Sequence, residues 1–294
     1  MTEIKSLKAR SGPREISRLL SHMDVVAEKH LATKVDLALR SIGAEKLATK
    51  IARCSRRAVC SSIYCRKCRN DAVSRFEHRL LKRFSADLHS RPGTLQDRWT
   101  YLTVLCAVTD FKLKPVAEAV DAARNILKKF YRKYPEAMIR GAFEFELVDL
   151  DDLKTMEGIS SVKKETFLWM MNADQDAFKG RKILVHYHAV VDVAGYDVRQ
   201  VRSWFEKQYG SHPRQIQLKY TERKQPASEK IRKIASYAFK NRLQYNTSFE
   251  TRGYETGAFF SNRDAGRLIK LYQDYTSSRS GSYKSLLISV GGRD

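Results

Sequence analysis

The spacing of hydrophobic positions changes near residue 99. Before it, apolar residues recur every three or four positions over Ser17–Leu31 and Lys34–Ile51, which predicts short amphipathic helices. From Trp99 the run WTYLTVLCAV is rich in β-branched and aromatic residues and predicts a buried strand to Val108. Val116, Val120, Ala123, Leu127 and Phe130 then share one helical face over Val116–Tyr131, with Pro115 at the start, where its missing N–H costs little. AFEFELV, Ala142–Val148, alternates: Phe143, Phe145 and Leu147 point one way, Glu144 and Glu146 the other. KILVHYHAVVDV, Lys182–Val193, predicts a second strong strand, and Asp197 is placed to cap a helix running to Tyr209. Phe167–Ala177 and Ser228–Leu243 read as helices, Gln215–Tyr220 and Ser285–Val290 as strands, and Thr276–Ser282 (TSSRSGS) as a flexible stretch. Several strands are half polar, so the pattern predicts an α+β fold with an open sheet rather than a doubly wound parallel one. The turn signal Arg91-Pro92-Gly93 divides a basic helical region, 1–92, from the rest, 93–294.

Charge narrows the class. The formal net charge is +22, and residues 1–98 alone carry an excess of 12 positive charges. With 43% hydrophobic residues there is ample material for a core, which excludes a wholly disordered chain. A polyanion is the natural partner, nucleic acid ahead of an anionic membrane or an acidic protein. No apolar run approaches the ~18 residues of a membrane span, and the N-terminal MTEIKSLKARSGPREIS has no apolar core of a secretory leader. The expectation is a cytoplasmic protein without membrane partners. The sequence has no G-x-x-x-x-G-K-[ST] and no G-x-G-x-x-G after a strand, which argues against an ATP-driven helicase or a dinucleotide enzyme. If the chain works on duplex DNA, strand opening is expected from a separate helicase.

Two clusters carry chemistry. Cys54, Cys60, Cys65 and Cys68 are spaced C-x5-C-x4-C-x2-C. In a reducing compartment such a cluster binds metal more often than it forms disulfides, and four thiolates suit structural Zn²⁺. Arg56, Arg57, Arg66, Lys67 and Arg69 lie between and beside them and lower the cost of gathering thiolates. Cys106 reads as core. In His186-Tyr187-His188, period two puts both imidazoles on one strand face with Tyr187 opposite. Alone, so short and common a motif reads first as two hydrogen-bonded histidines on a half-exposed face; a carboxylate from a neighbouring Glu144/Glu146 strand would complete a two-His, one-carboxylate site for Mg²⁺ or Mn²⁺. Tyr237 falls beside the apolar face of the 228–243 helix, on the side of Lys233 and Lys240.

In chain order, TYLTV at Thr100–Val104, H-Y-H at His186–His188 and S-Y-A-F-K at Ser236–Lys240 resemble the three motifs of the HUH endonucleases, above all the rolling-circle replication initiators of small plasmids. Cys60, Cys65 and Cys68 repeat a cysteine spacing that commonly precedes the first motif in those proteins. The resemblance covers roughly residues 54–245. It implies a central antiparallel sheet of about five strands flanked by helices, preceded by a helical zinc-binding region. It further implies a site-specific single-strand nickase and strand transferase. His186, His188 and a glutamate, Glu146 in preference to Glu144, would hold the divalent ion. Tyr237 would become joined to a 5′-phosphate, with Lys240 offsetting developing charge. Single-stranded DNA and origin DNA are the implied partners.

The chain also departs from the pattern. Its knuckle reads C-R-K-C without a proline, its first motif lacks a second Thr, Ser236 replaces a frequent Lys, and Lys233 stands where some initiators carry a water-activating Glu. The last departure favours single-tyrosine strand transfer. The same residues would serve an HUH transposase or, without a third histidine nearby, less well a relaxase. Rival readings are a non-catalytic, zinc-containing DNA- or RNA-binding regulator and a metal-dependent nuclease that uses water.

Overall fold

A computed structural model describes residues 23–90, 99–151, 160–172, 179–210, 212, 215–220 and 260–291. Helices α1 (Met23–Arg40), α2 (Glu45–Ala52) and α3 (Arg66–Ser90) precede strand β1 (Trp99–Asp110). Then come α4 (Leu113–Lys133), β2 (Met138–Asp149), α5 (Ser160–Met171), β3 (Arg181–Asp192), α6 (Val198–Tyr209) and β4 (Ile216–Tyr220). Helix α7 (Asn262–Arg279), a 3₁₀ turn (Tyr283–Leu286) and β5 (Leu287–Val290) complete the described elements. The fold is α+β. Its five strands form one antiparallel sheet in the order β4-β1-β3-β2-β5.

The sheet buries both faces, unequally. Leu102, Val104, Phe143, Phe145, Val185, Tyr187 and Val191 form the main core with the apolar stripes of α4 (Val116, Val120, Leu127, Phe130), α6 (Val201, Phe205) and α7 (Leu268, Ile269, Tyr272). The opposite face carries two smaller clusters. Ala72, Phe76 and Leu80 of α3 cover Trp99, Met138, Ala142 and Val190, while Phe167 of α5 meets Val148, Leu150 and Leu184. The glutamates and histidines of β2 and β3 lie on this second face, opposite Phe143, Phe145 and Tyr187, as period two demands.

Several elements differ from their sequence patterns. The Lys34–Ile51 pattern spans two helices: Gly43 turns the chain with a left-handed φ of 70°, a conformation that costs glycine nothing. The 167–177 expectation shifts N-terminally, because the described helix ends at Met171 and Asn172 follows at φ 45°. Part of the stretch expected to be flexible is the last turn of α7: Thr276 is buried and its Oγ1 donates to Gln273 O at 3.0 Å. Helices α3 and α7 have no counterpart in the sequence reading, although each carries an apolar stripe at helical spacing, Ala72/Phe76/Leu80 and Leu268/Leu271/Tyr272/Tyr275. The capping expectation holds, since the Asp197 side chain accepts from Arg199 N at 2.8 Å. The Ser228–Leu243 helix and the Arg91–Gly93 turn lie outside the described residues.

The N-terminal region shares the main core: Val35, Ala38, Leu39 and Ala48 of its first two helices, and Ile63 and Tyr64 before α3, belong to the same cluster as the sheet. Helices α1 and α7 meet where Gly266 faces Ala38, and a Cβ at Gly266 would stand 2.1 Å from Ala38 O. Helix propensity alone predicts that Gly266→Ala stabilises by about 1 kcal/mol. The close approach reverses the sign: a net loss of about 1–3 kcal/mol is expected in equilibrium denaturation, because backbone must move to admit the methyl. Among the described residues no helix is long and apolar enough to cross a membrane.

Candidate metal centres

β3 supplies two imidazoles from its middle, and β2 runs antiparallel beside it with Glu144 directly opposite His186 and Ala142 opposite His188. The small Ala142 leaves room over His188, so the Glu144 carboxylate lies between the two rings. Its Oε2 is 3.5 Å from His186 Nε2 and 3.4 Å from His188 Nε2, while Glu146 Oε2 is 3.9 Å from His186 Nε2. The rings meet edge to face at 5.0 Å and 74°. Exposures are 6% for Glu144, 8% for Glu146, 5% for His186 and 9% for His188, so bulk water does little to solvate the carboxylates. Two carboxylates buried side by side need compensating positive charge. The N···O separations exceed the about 2.7–3.2 Å of a direct N–H···O bond. They approach the about 3.0–3.4 Å between ligands of one ion whose bonds are ~2.1 Å at 90–110°. The ligating atoms of Glu144, His186 and His188 all lie within 4.8 Å of one another. This donor set fits a divalent cation. Mixed imidazole and carboxylate donors suit Mn²⁺ better than Mg²⁺, which prefers oxygen alone. Of the two glutamates Glu144 is the nearer to both rings; Glu146, preferred from the resemblance, stands one step out beside His186.

The far side of His188 is engaged as well. Its Nδ1 lies 2.7 Å from the Tyr101 hydroxyl and 2.9 Å from Thr103 Oγ1, both from β1. On the outer edge of β2, beyond its pairing with β5, the Tyr272 hydroxyl from α7 accepts from Phe145 N and donates to Phe145 O. That contact holds the backbone between the two glutamates. Tyr272 meets Tyr64 edge to face at 5.5 Å. Burial, and behind it the charge of Glu144, pushes the Tyr64 phenol well above its ordinary range, so it stays neutral.

Tyr64 leads into the second cluster. Cys54, Cys60, Cys65 and Cys68 are all buried, and their sulfurs lie within 4.8 Å of one another. The Cys54–Cys68 and Cys60–Cys68 sulfur separations are 3.6 and 3.5 Å. A disulfide would need about 2.05 Å, whereas four ~2.3 Å bonds at tetrahedral angles place sulfurs about 3.8 Å apart. Cys54 is drawn in with the rest, by the Cys60 N–H donating to its sulfur at 3.4 Å and by Lys67 Nζ holding its carbonyl at 3.0 Å. The Cys60 thiol and the Cys68 and Lys67 amides hold Cys65 down at about 5. Burial dominates at Cys68 and pushes it up to about 11. The four sulfurs lie close enough together to hold one metal ion, and a set of four cysteine sulfurs is a donor set that suits zinc.

No family model, curated protein or solved structure matches this chain.

Of the residues singled out from the sequence, the structure thus brings together all four cysteines in one group and His186, His188, Glu144 and Glu146 in another. Tyr237 and Lys240 lie outside the described residues. Cys106, read as core, sits half-buried at a bulge where the β1–β3 register shifts between Leu105 and Ala107, and burial raises its thiol. Tyr101, Thr103, Tyr64 and Tyr272 were not anticipated. Alternation did carry a signal for the first two, because Leu102 and Val104 are apolar and the residues between them must face the other side of the sheet.

Proposed function

We propose that the chain is an HUH-type DNA nickase and strand transferase that initiates rolling-circle replication. One observation supports this above the others: H-x-H on β3 and E-x-E on β2 share one sheet face, with ligating atoms of three of these residues within 4.8 Å, in a chain whose four-cysteine group, first motif and Y-x-x-K follow the order of that superfamily. In this reading Glu144, His186 and His188 hold the catalytic Mn²⁺ or Mg²⁺, with Glu146 beside His186. When bound, the ion acts as a Lewis acid on a non-bridging phosphate oxygen. Tyr237 Oη loses its proton to water as it attacks phosphorus, the Tyr–O–P bond forms, the P–O3′ bond breaks, and the 3′ oxygen takes one proton from water and leaves as a hydroxyl, so no net proton is gained or lost. Lys240, three residues on in the sequence, offsets the charge of the phosphoryl oxygens. Zn²⁺ on Cys54, Cys60, Cys65 and Cys68 holds the N-terminal helices against the sheet. The positive charge of the chain holds single-stranded DNA at the nick and origin DNA around it.

The test is incubation of the full chain with circular single-stranded DNA and Mn²⁺, resolved on a denaturing gel. The expected product is protein joined to DNA. Cleavage with no adduct replaces strand transfer by hydrolysis, and binding without cleavage replaces the enzyme by a regulator.

A further inference from the structure

Strand β1 is fixed against the main core by Leu102 and Val104, both fully buried. Their neighbours Tyr101 and Thr103 therefore face the metal side of the sheet. Thr103 stands directly across from His188 in the β1–β3 ladder, with Tyr101 two residues back. The Tyr101 ring lies nearly parallel to the imidazole, centroids 5.8 Å apart at 14°. Both hydroxyls converge on Nδ1, at 2.7 and 2.9 Å, while Nε2 points at Glu144, 3.4 Å away.

A histidine that binds a cation through Nε2 carries its proton on Nδ1, and that N–H needs an acceptor that also sets the ring's rotation. We infer that Tyr101 and Thr103 are positioning residues for the metal: their oxygens accept the Nδ1–H of His188 and so hold Nε2 on the ion. The T-Y-L-T-V segment thereby divides its labour, with alternate residues anchoring the strand in the core and orienting a ligand on the other face. Two hydroxyls from one rigid strand, meeting at one nitrogen, restrict the ring's χ2 more than either does alone. The inference rests on the metal reading of Glu144, His186 and His188 and is independent of strand transfer.

The experiment is calorimetric titration of Mn²⁺ into the full chain. Tyr101→Phe and Thr103→Val each remove a hydroxyl with little change of shape. The double variant is expected to raise the Mn²⁺ Kd about 10–100-fold, the range typical of a lost outer-shell partner. Thr103→Ser, which keeps Oγ, is expected to bind as wild type does. In a His188→Ala background the same double substitution is expected to change the residual affinity less than twofold, because the pair acts through that ring. Wild-type affinity in the double variant, or an equal loss with and without His188, overturns the positioning role while the metal site stands. A wild-type chain that binds no Mn²⁺ overturns the metal reading, and the positioning role with it.

Discussion

Tyr237→Phe is expected to abolish both DNA cleavage and the covalent protein–DNA adduct while single-stranded DNA binding persists. The substitution removes one oxygen, the proposed nucleophile, and leaves the ring and the positive charge of the chain in place. Water is a poor substitute at a site organised for an attacking phenol, so the loss is expected to be on the order of 10⁴-fold or more in nicking rate. Stability is expected to change little, by about 0.5 kcal/mol or less, because the proposed nucleophile must be open to DNA and loses only one hydroxyl. His186→Ala should also stop cleavage, by a different route: one imidazole leaves the ion, and excess Mn²⁺ partly restores the rate by mass action. Restoration in one variant and none in the other separates nucleophile from metal ligand. A Tyr237→Phe chain that still forms the adduct moves the nucleophile to Tyr245 or Tyr220, and a gel of protease-digested adduct identifies which. Equal sensitivity of both variants to added Mn²⁺ removes the distinction and with it the assigned role of Tyr237.

Cys68→Ser is expected to have the largest effect on stability. Cys68 closes the sulfur cluster and lies in the first turn of α3, the helix that covers Trp99, Met138 and Val190. A structural zinc supplies about 10–16 kcal/mol of apparent binding energy in small zinc-finger peptides at neutral pH. Here Ile63 and Tyr64 already pack in the sheet's core, so only part of that depends on the ion. A loss of at least about 3 kcal/mol is expected, which lowers the thermal midpoint by about 6–12 °C for a chain of this size. Elemental analysis should find one zinc per wild-type chain and markedly less in the variant, and strong chelators should reproduce the thermal shift in wild type alone. Cys106→Ser, away from the cluster, should keep its zinc. Wild-type protein without zinc, or a Cys68→Ser chain with an unchanged midpoint, overturns the site. Tyr64, next to Cys65 in the chain, packs edge to face on Tyr272, whose hydroxyl bonds the backbone of Phe145 between the two glutamates, so zinc loss is also expected to weaken Mn²⁺ binding, which the same titration reads directly.

The two centres were unequally legible before the fold was known. C-x2-C with two further cysteines close by is a local signal: the chain between them is short, so few arrangements keep the sulfurs apart, and all four do converge. H-x-H and E-x-E are local only in part. Alternation states which side chains share a face, and the observed strands respect it at Glu144, Glu146, His186 and His188. It does not state which strand pairs with which, or in what register. The family likeness preferred Glu146 to Glu144 as the third ligand; the register sets Glu144 opposite His186 and puts its carboxylate 3.5 and 3.4 Å from the two imidazoles, against 3.9 Å from Glu146 to His186.

What the amino-acid sequence determined alone is therefore the set of amphipathic faces, the cap at Asp197, the cysteine group and the side of the sheet on which the histidines lie. These follow from backbone geometry over a few residues and need no knowledge of distant partners. Only the tertiary structure decided that β3 inserts between β1 and β2, so that the clustered histidines and glutamates come from β3 and β2 while Tyr101 and Thr103 reach His188 from β1. It also decided that α7 runs on through Thr276–Arg279, the first part of the stretch expected to be flexible, behind Tyr272 and Tyr275, which pack against Phe145. The cause is the same in each case: pairing across some 40 to 130 residues is chosen by which surfaces bury together, and that choice is not written in the period of any one segment.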